Sequence, residues 1–160
     1  MQQSAAEDSF DDITDAVVAA SRVLVAVAAR SLSAVNTDVT LPQYRTLVVL
    51  ASRGPQPLGY LAEQLDVSPS TATRMCDRLV RKGLIERRPS ESSRREIEVK
   101  IAPAGREIVD RVTRRRRREI ASILRSVPDD HRKRLAEALN AFSDAAGEVP
   151  EQSWSLGWST

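Results

Sequence analysis

Apolar residues recur every three or four positions near the start of the chain, over residues 8–32. This series consists of Phe10, Ile13, Val17, Ala20, Leu24 and Val27. Such spacing places the side chains on one helical face and predicts a long amphipathic first helix. A second helix is predicted from Thr40, which can cap it, because Pro42 suits the first turn and Gln43 can complete a capping box. Its inward positions are Tyr44, Leu47, Val48 and Leu50.

Two short helices joined by a tight turn are predicted next. The third has apolar positions at Leu58, Leu61, Ala62 and Leu65. The fourth opens with Ser68 as N-cap and Pro69 in its first turn, and Gly83 suits its end. One face of the fourth helix carries Ala72, Met75, Cys76 and Leu79, and the opposite face carries Ser70, Arg74, Arg78 and Arg81, with Thr71 and Thr73 beside them. This helix should therefore present polar, arginine-bearing positions outward.

After Gly83 the apolar period changes from 3.6 to 2, which predicts strands. Residues 84–88 form a first strand, residues 89–93 a turn, and residues 95–101 a second strand. Ile97, Val99 and Ile101 should face the core. A fifth helix is predicted from Pro103 to about residue 125, and a sixth from Pro128 to beyond Phe142. The pattern is thus mainly α with a small β-hairpin, the wing of a winged helix-turn-helix.

Composition narrows the class of protein. The chain has 160 residues, of which 41% are hydrophobic and 4% aromatic, so its helices should complete their core against a partner chain. One cysteine excludes an internal disulfide framework, and a single histidine beside it argues against a metal centre. No nucleophile–base pair or glycine-rich phosphate loop points to an enzyme, and no cofactor is expected. The N-terminus is acidic and the longest apolar run, residues 23–29, is short, so a soluble cytoplasmic protein without a membrane partner is expected.

The net charge of +2 hides an uneven distribution. The formal net charge is −4 for residues 1–40, +9 for residues 41–118 and −3 for residues 119–160. Arginine accounts for 21 of the 24 basic side chains, and its guanidinium can donate two hydrogen bonds at once to a phosphate or a guanine. A basic middle between acidic ends predicts contact with a polyanion.

The basic middle coincides with the predicted helix-turn-helix and wing, which indicates double-stranded DNA as the partner. Small hydroxyl side chains let a helix N-terminus approach phosphates, arginine can read guanine, and arginine on a wing tip can enter the minor groove. The predicted DNA-binding residues are Ser68, Ser70, Thr71, Thr73, Arg74, Arg78, Arg94 and Arg95.

Several segments together resemble the MarR family of bacterial transcriptional regulators. They read LPQYRTL from Leu41, LGYLAEQL from Leu58, SPSTATR from Ser68, DRL from Asp77 and KGLIER from Lys82. The resemblance covers residues 10–146 and is most specific over residues 41–106. It implies one domain over residues 8–146, with a winged-helix DNA-binding lobe at 40–104, dimerisation helices at 8–38 and 106–146, and a tail at 147–160.

The resemblance also implies a function. It implies a homodimeric regulator, a repressor on a pseudo-palindromic operator, released by a small aromatic or phenolic effector that binds between the dimer and DNA-binding regions. Two alternatives stay open: a redox-responsive regulator that uses Cys76, or an architectural winged-helix DNA binder without ligand control. Against the first, Cys76 lies on an apolar stripe, whereas oxidant-sensing relatives carry their cysteine in the first helix.

The chain departs from the family pattern in two places. The wing reads Ser93-Arg94-Arg95 where the family usually has Asp-Arg-Arg, which removes a carboxylate that would orient Arg94. The fifth helix opens Ala102-Pro103-Ala104-Gly105 where a threonine is common, so its N-cap lacks a side-chain oxygen.

Other features allow more than one interpretation. The run Arg114 to Arg118 can be solvated, or paired across the dimer with Asp11, Asp12 and Asp15, or can face DNA. Arg116 falls within an apolar stripe and should be paired if buried. Trp154 and Trp158 can belong to a loose tail or dock on the protein surface. His131 is expected to be solvent-exposed.

Overall fold

The computed structural model describes residues 2–35, 38–90 and 97–150, which form six helices and three strands. In chain order they are α1 (Gln2–Ser33), α2 (Leu41–Arg53), β1 (Gln56–Pro57), α3 (Leu58–Gln64), α4 (Pro69–Arg81), β2 (Ile85–Pro89), β3 (Ile97–Ile101), α5 (Pro103–Leu124) and α6 (Asp129–Ala145). The predicted fold class, mainly α with a small β-hairpin in a winged helix-turn-helix, is confirmed.

Local sequence signals fix where α2 begins. The Thr40 hydroxyl accepts a hydrogen bond from the Gln43 backbone N–H, and the Thr40 backbone N–H donates to the Gln43 side chain at 3.2 Å. Both halves of the predicted capping box are therefore present. Tyr44, Leu47 and Leu50 are buried as predicted, whereas Val48 is only half-buried.

The end of α4 is set by Gly83, whose φ of +69° favours glycine. The Gly83 N–H donates to the Val80 carbonyl at 2.9 Å, and the Leu84 N–H donates to the Leu79 carbonyl at 3.0 Å. This pair of hydrogen bonds is a Schellman motif. It turns the chain directly from the recognition-type helix into β2, so the wing starts at a fixed angle to α4.

The strands form an antiparallel sheet in the order β1-β3-β2. β1 was not predicted, because a strand of two residues, one of them Pro57, gives no alternating pattern. It pairs with the edge of β3 that does not face β2. The prediction that Ile97 faces the core is wrong: Ile97 is 51% exposed, while Val99 is fully buried and Ile101 half-buried. Ile97 opposes Pro89 at the outer end of the hairpin, whereas the core contacts lie at its inner end, where Ile85 opposes Ile101.

The hydrophobic core lies where α2 and α5 meet α3, α4 and the sheet. Its fully buried side chains include Leu47, Leu50, Leu61, Leu79, Val99, Val109 and Val112. α1 packs on α5 and α2 through its C-terminal part, where Val27 and Leu32 are buried. The winged helix and the helices α1 and α5 thus share one continuous core.

The N-terminal part of α1 and the whole of α6 leave apolar side chains uncovered within one chain. Phe10, Ile13, Val17 and Leu24 of α1 are exposed, as are Leu135, Leu139 and Phe142 of α6, which has no buried residue. By length and composition the stretch Ser9–Ser33 could cross a membrane, with a mean hydropathy of 1.6. These surfaces need a partner of some kind, because contiguous apolar faces of this size are unusual on a monomer.

Gly105 in the first turn of α5 is required by close packing. A Cβ at this position would lie 2.2 Å from the Leu84 carbonyl oxygen and 3.2 Å from a Leu47 methyl carbon. We expect Gly105→Ala to lower the free energy of unfolding by about 1–3 kcal/mol, because the backbone of the β2 entry has to shift. Urea unfolding followed by circular dichroism measures this change.

Gly59→Ala in α3 is the matched control. Among the described residues, apart from its chain neighbours and the backbone of its own helix, nothing lies within 4 Å of a Cβ at this position, so the variant should be as stable as the unaltered protein or more stable. An equal loss of stability in the two variants would contradict the packing role of Gly105.

Candidate nucleic-acid interface

The fourth helix presents the two faces that its sequence predicts. Ala72, Met75, Cys76 and Leu79 are buried, whereas Ser70, Arg74, Arg78 and Arg81 are exposed. Among the described residues, Arg74 has no hydrogen bond or ion pair to its side chain, so its guanidinium is available to an external acceptor. An exposed helix with free arginines fits the width of the DNA major groove.

The hydroxyl groups at the N-terminus of α4 are engaged with one another. The Ser68 hydroxyl accepts from the Thr71 backbone N–H at 3.2 Å and lies 2.9 Å from the Thr71 hydroxyl and 3.0 Å from that of Ser70. The Thr73 hydroxyl donates to the Pro69 carbonyl at 2.8 Å. Ser68 and Thr73 thus stabilise the helix start, and Ser70 is exposed at a helix N-terminus, where a phosphate can bind.

An ion pair that the sequence did not reveal joins α4 to the wing. The Arg87 guanidinium of β2 donates to the Asp77 carboxylate at 2.5 Å. Within the hairpin, Arg88 and Glu98 oppose each other, with 3.6 Å between their charged groups. The first pair holds the base of the wing against the recognition-type helix, and the second joins the two strands of the wing. The predicted wing-tip residues Arg94 and Arg95 lie outside the described residues.

Cys76 lies in the core, with 1% of its surface exposed. Burial raises the pKa of its thiol to about 11, although the nearby charge of Arg87 acts in the opposite direction. Because the thiolate is the reactive form, a thiol with this pKa is almost entirely protonated and unreactive near neutral pH. The burial of Cys76 agrees with the apolar stripe on which the sequence places it.

A short segment after α6, residues 147–150, is fastened to α2. The Arg45 guanidinium donates to both Glu148 carboxylate oxygens, at 3.0 and 2.6 Å, and the Arg53 guanidinium donates to the Gly147 carbonyl at 2.7 Å. Hydrogen bonds from Arg45 lower the pKa of the Glu148 carboxyl, and the charges of Arg53 and Arg116 add to this effect. The segment therefore links the end of α6 to α2.

A cavity of about 740 Å³ opens between α2, α5, α6 and residues 148–150. Tyr44, Val48 and Ile120 contribute apolar wall, and Asn140 and Asp144 contribute polar groups from α6. Its size is that of sites for small organic ligands. We refer to it as the interlobe cavity.

The arginine run on α5 divides between solvent and this cavity. Arg114, Arg115, Arg117 and Arg118 are exposed and Arg116 is half-buried, and both Arg116 and Arg117 line the cavity. Within the described part of the chain, the buried Arg116 Nε makes no hydrogen bond. Arg116 instead interacts through its charge with Glu148, which contributes to the lowered pKa of that carboxyl. His131 is largely exposed, as predicted.

The functional residues that sequence reasoning missed are those whose partners lie far along the chain. Asp77 with Arg87, and Arg45 with Glu148, are separated by 10 and 103 positions. A residue-by-residue pattern carries no signal for such pairs. For the described residues, no group of three or more His, Cys, Asp or Glu side chains could hold a metal ion.

Comparisons with known proteins agree with this architecture. The MarR family model matches residues 39–97. The crystal structure of RV1404 from Mycobacterium tuberculosis is 46% identical in sequence, covers 89% of this chain and 97% of its own, and superposes with a TM-score of 0.82.

Two curated relatives match over shorter segments. The multiple antibiotic resistance protein MarR of Salmonella typhimurium is 35% identical over 49% of this chain and 54% of its own length. The HTH-type transcriptional regulator YhbI of Bacillus subtilis is 32% identical over 46% of this chain and 48% of its own. The match with these two relatives thus spans about half of their length. On the family model, the relatives and the winged-helix fold together, the chain belongs to the MarR family of helix-turn-helix transcriptional regulators.

Proposed function

We propose that the protein is a cytoplasmic, homodimeric transcriptional repressor that binds a pseudo-palindromic operator and is released by a small aromatic or phenolic effector. The observation that carries the proposal is α4, a helix with a buried apolar face and an outer face of exposed Ser70, Arg74 and Arg78. We assign base reading to Arg74 and Arg78, and phosphate contacts to Ser70 and Thr71. Arg94 and Arg95 are proposed to contact the minor groove.

Dimerisation is supported by the apolar faces that one chain leaves uncovered. Phe10 is 69% and Phe142 is 56% exposed, and each belongs to a series on its own helix. If both series were buried between two copies, each Å² of apolar area removed from water would stabilise the dimer by about 25 cal/mol. Two copies would also present two α4 helices to one DNA duplex, as a two-fold symmetric operator requires.

A protein partner suits α1 better than a lipid bilayer does. Between residues 9 and 33 the helix carries Asp11, Asp12, Asp15, Arg22 and Arg30. Charged side chains are costly in the hydrocarbon core, whereas they remain hydrated at the edge of a protein interface. Arg30 also forms an ion pair with Glu119 of α5, which fixes this end of α1 against the protein.

Effector control is supported by the interlobe cavity. Its wall joins α2, which belongs to the DNA-binding lobe, to α5 and α6, which belong to the dimerisation region. A ligand in this position can favour one arrangement of the two parts over another, and only such a difference in affinity shifts the equilibrium between them. The Arg116 guanidinium suits an aromatic ring or an acidic substituent.

The two other functions have less support. Redox control through Cys76 requires a reactive thiolate, and burial and a pKa of about 11 both disfavour it. An architectural DNA binder without ligand control leaves the interlobe cavity without a role.

Footprinting at the promoter of the protein's own gene tests the proposal. We expect protection of a short palindrome whose half-sites are centred about one helical turn apart, or a multiple of it, because two recognition helices face the same side of the duplex. Benzoate, the simplest aromatic acid, should remove the protection, and cyclohexanecarboxylate is the non-aromatic control. Extended protection without a palindrome would contradict the repressor and favour an architectural role.

A further inference from the structure

The described chain ends at the edge of the interlobe cavity. After α6, Arg53 holds the Gly147 carbonyl and Arg45 holds the Glu148 carboxylate, which directs the chain back along α2. Val149 and Pro150 then form part of the cavity wall. Whatever follows Pro150 therefore starts beside the cavity opening.

The sequence continues for ten residues after Pro150, which read EQSWSLGWST, and we call them the indole segment. It contains both tryptophans of the chain, Trp154 and Trp158, and a single charged side chain, Glu151. Ten residues can span about 33 Å when extended, so either indole can reach back into the cavity. Small serine and glycine residues between the indoles permit tight turns.

The chemistry of the cavity suits an indole. A volume of about 740 Å³ accommodates a tryptophan side chain, and Val48 and Ile120 supply apolar wall for its ring. The Arg116 Nε is buried and, within the described residues, forms no hydrogen bond, and its side chain lines the cavity, where a guanidinium can stack on an aromatic ring. Asp144 and Glu148 carry carboxylate oxygens that can accept from an indole N–H.

We propose that the indole segment folds back into the interlobe cavity, where Trp154 or Trp158 is an internal aromatic occupant. The inference deepens the proposed function and rests on it in one respect: a small aromatic effector would have to displace the indole before binding. The occupancy of the cavity would then set the effector concentration needed for release, since the free energy of docking opposes effector binding.

Intrinsic fluorescence of the full-length chain tests the docking directly, because both tryptophans lie in the indole segment. We expect the native emission maximum at a shorter wavelength than in urea, and acrylamide quenching several-fold weaker. Ser143→Arg places a long charged side chain in the cavity and should raise quenching several-fold, to nearly that of the unfolded chain. Ala141→Arg makes a comparable small-to-arginine change on the exposed side of α6, away from the cavity, and should leave quenching unchanged.

Two results would overturn the inference: native emission identical to that of the unfolded chain, or equal quenching in the Ser143→Arg and Ala141→Arg variants. Circular dichroism verifies that both variants fold, which is expected because α6 has no buried residue. If quenching rises in Ser143→Arg while benzoate leaves operator binding of the unaltered protein unchanged, docking of the indole is supported and release by an aromatic effector is refuted. The two proposals can therefore fail separately.

Discussion

Replacing Phe142 by arginine is expected to convert the dimer to monomers and to reduce operator affinity by about 10²–10⁴-fold. Phe142 is 56% exposed on the uncovered apolar face of α6, together with Leu135 and Leu139. An arginine at this point would bury a charge without a partner in the proposed interface. A monomer contacts only one half-site, so the gain from simultaneous binding of two half-sites is lost. Sedimentation equilibrium and fluorescence anisotropy with an operator duplex measure the two effects.

Ala141→Arg is the matched control for this prediction. Ala141 adjoins Phe142 in sequence but lies on the exposed side of α6, away from Leu139 and the interlobe cavity. The control should remain dimeric and bind the operator as the unaltered protein does. If the Phe142→Arg variant were monomeric and still bound the operator with full affinity, a dimer would not be required for binding. If the variant remained dimeric, the interface would not include Phe142.

The second large effect is expected for Arg74→Ala. Because a bidentate arginine–guanine contact contributes about 1–3 kcal/mol of discrimination, specific affinity should fall about 5- to 150-fold for each half-site. Affinity for a scrambled duplex should change far less, since phosphate attraction supplies nonspecific binding. Titrations of both duplexes at several salt concentrations separate the two contributions.

Arg134→Ala removes an arginine of the same charge from the exposed surface of α6. Its pairing with Asp130 lies at the surface, so its loss should have little effect on stability or on either duplex. If Arg74→Ala weakened specific and nonspecific binding equally, Arg74 would be a phosphate contact and not a base-reading residue.

Most helix boundaries could be predicted because their signals are local. Thr40 and Gln43, Ser68 and Pro69, and Gly83 act through hydrogen bonds or backbone angles within a few residues, and the structure shows each at its predicted place. The two faces of α4 followed from the 3.6-residue period for the same reason. The strands were located less well, because the alternation at Ile97 continues past the point where the core ends.

Patterns also indicated the need for a partner before any contact was known. The low content of hydrophobic and aromatic residues and the apolar face of the first helix predicted that a partner chain covers part of the apolar surface. Within one chain, α1 and α6 do leave apolar side chains exposed. The segmental charge predicted contact with a polyanion for the middle of the chain, and this is the part that contains the winged helix.

The sequence by itself therefore determined the order of the six helices and of the two hairpin strands, the side-chain caps of α2 and α4, the two faces of the recognition-type helix and the resemblance to the family. Only the tertiary structure decided the pairing of β1 with β3, the contact of Gly105 with Leu84, the fastening of Glu148 to Arg45 and the interlobe cavity. The physical reason is the range of the interactions. Caps and amphipathic faces act within a turn or two, whereas these contacts join residues that only the packing of distant elements brings together.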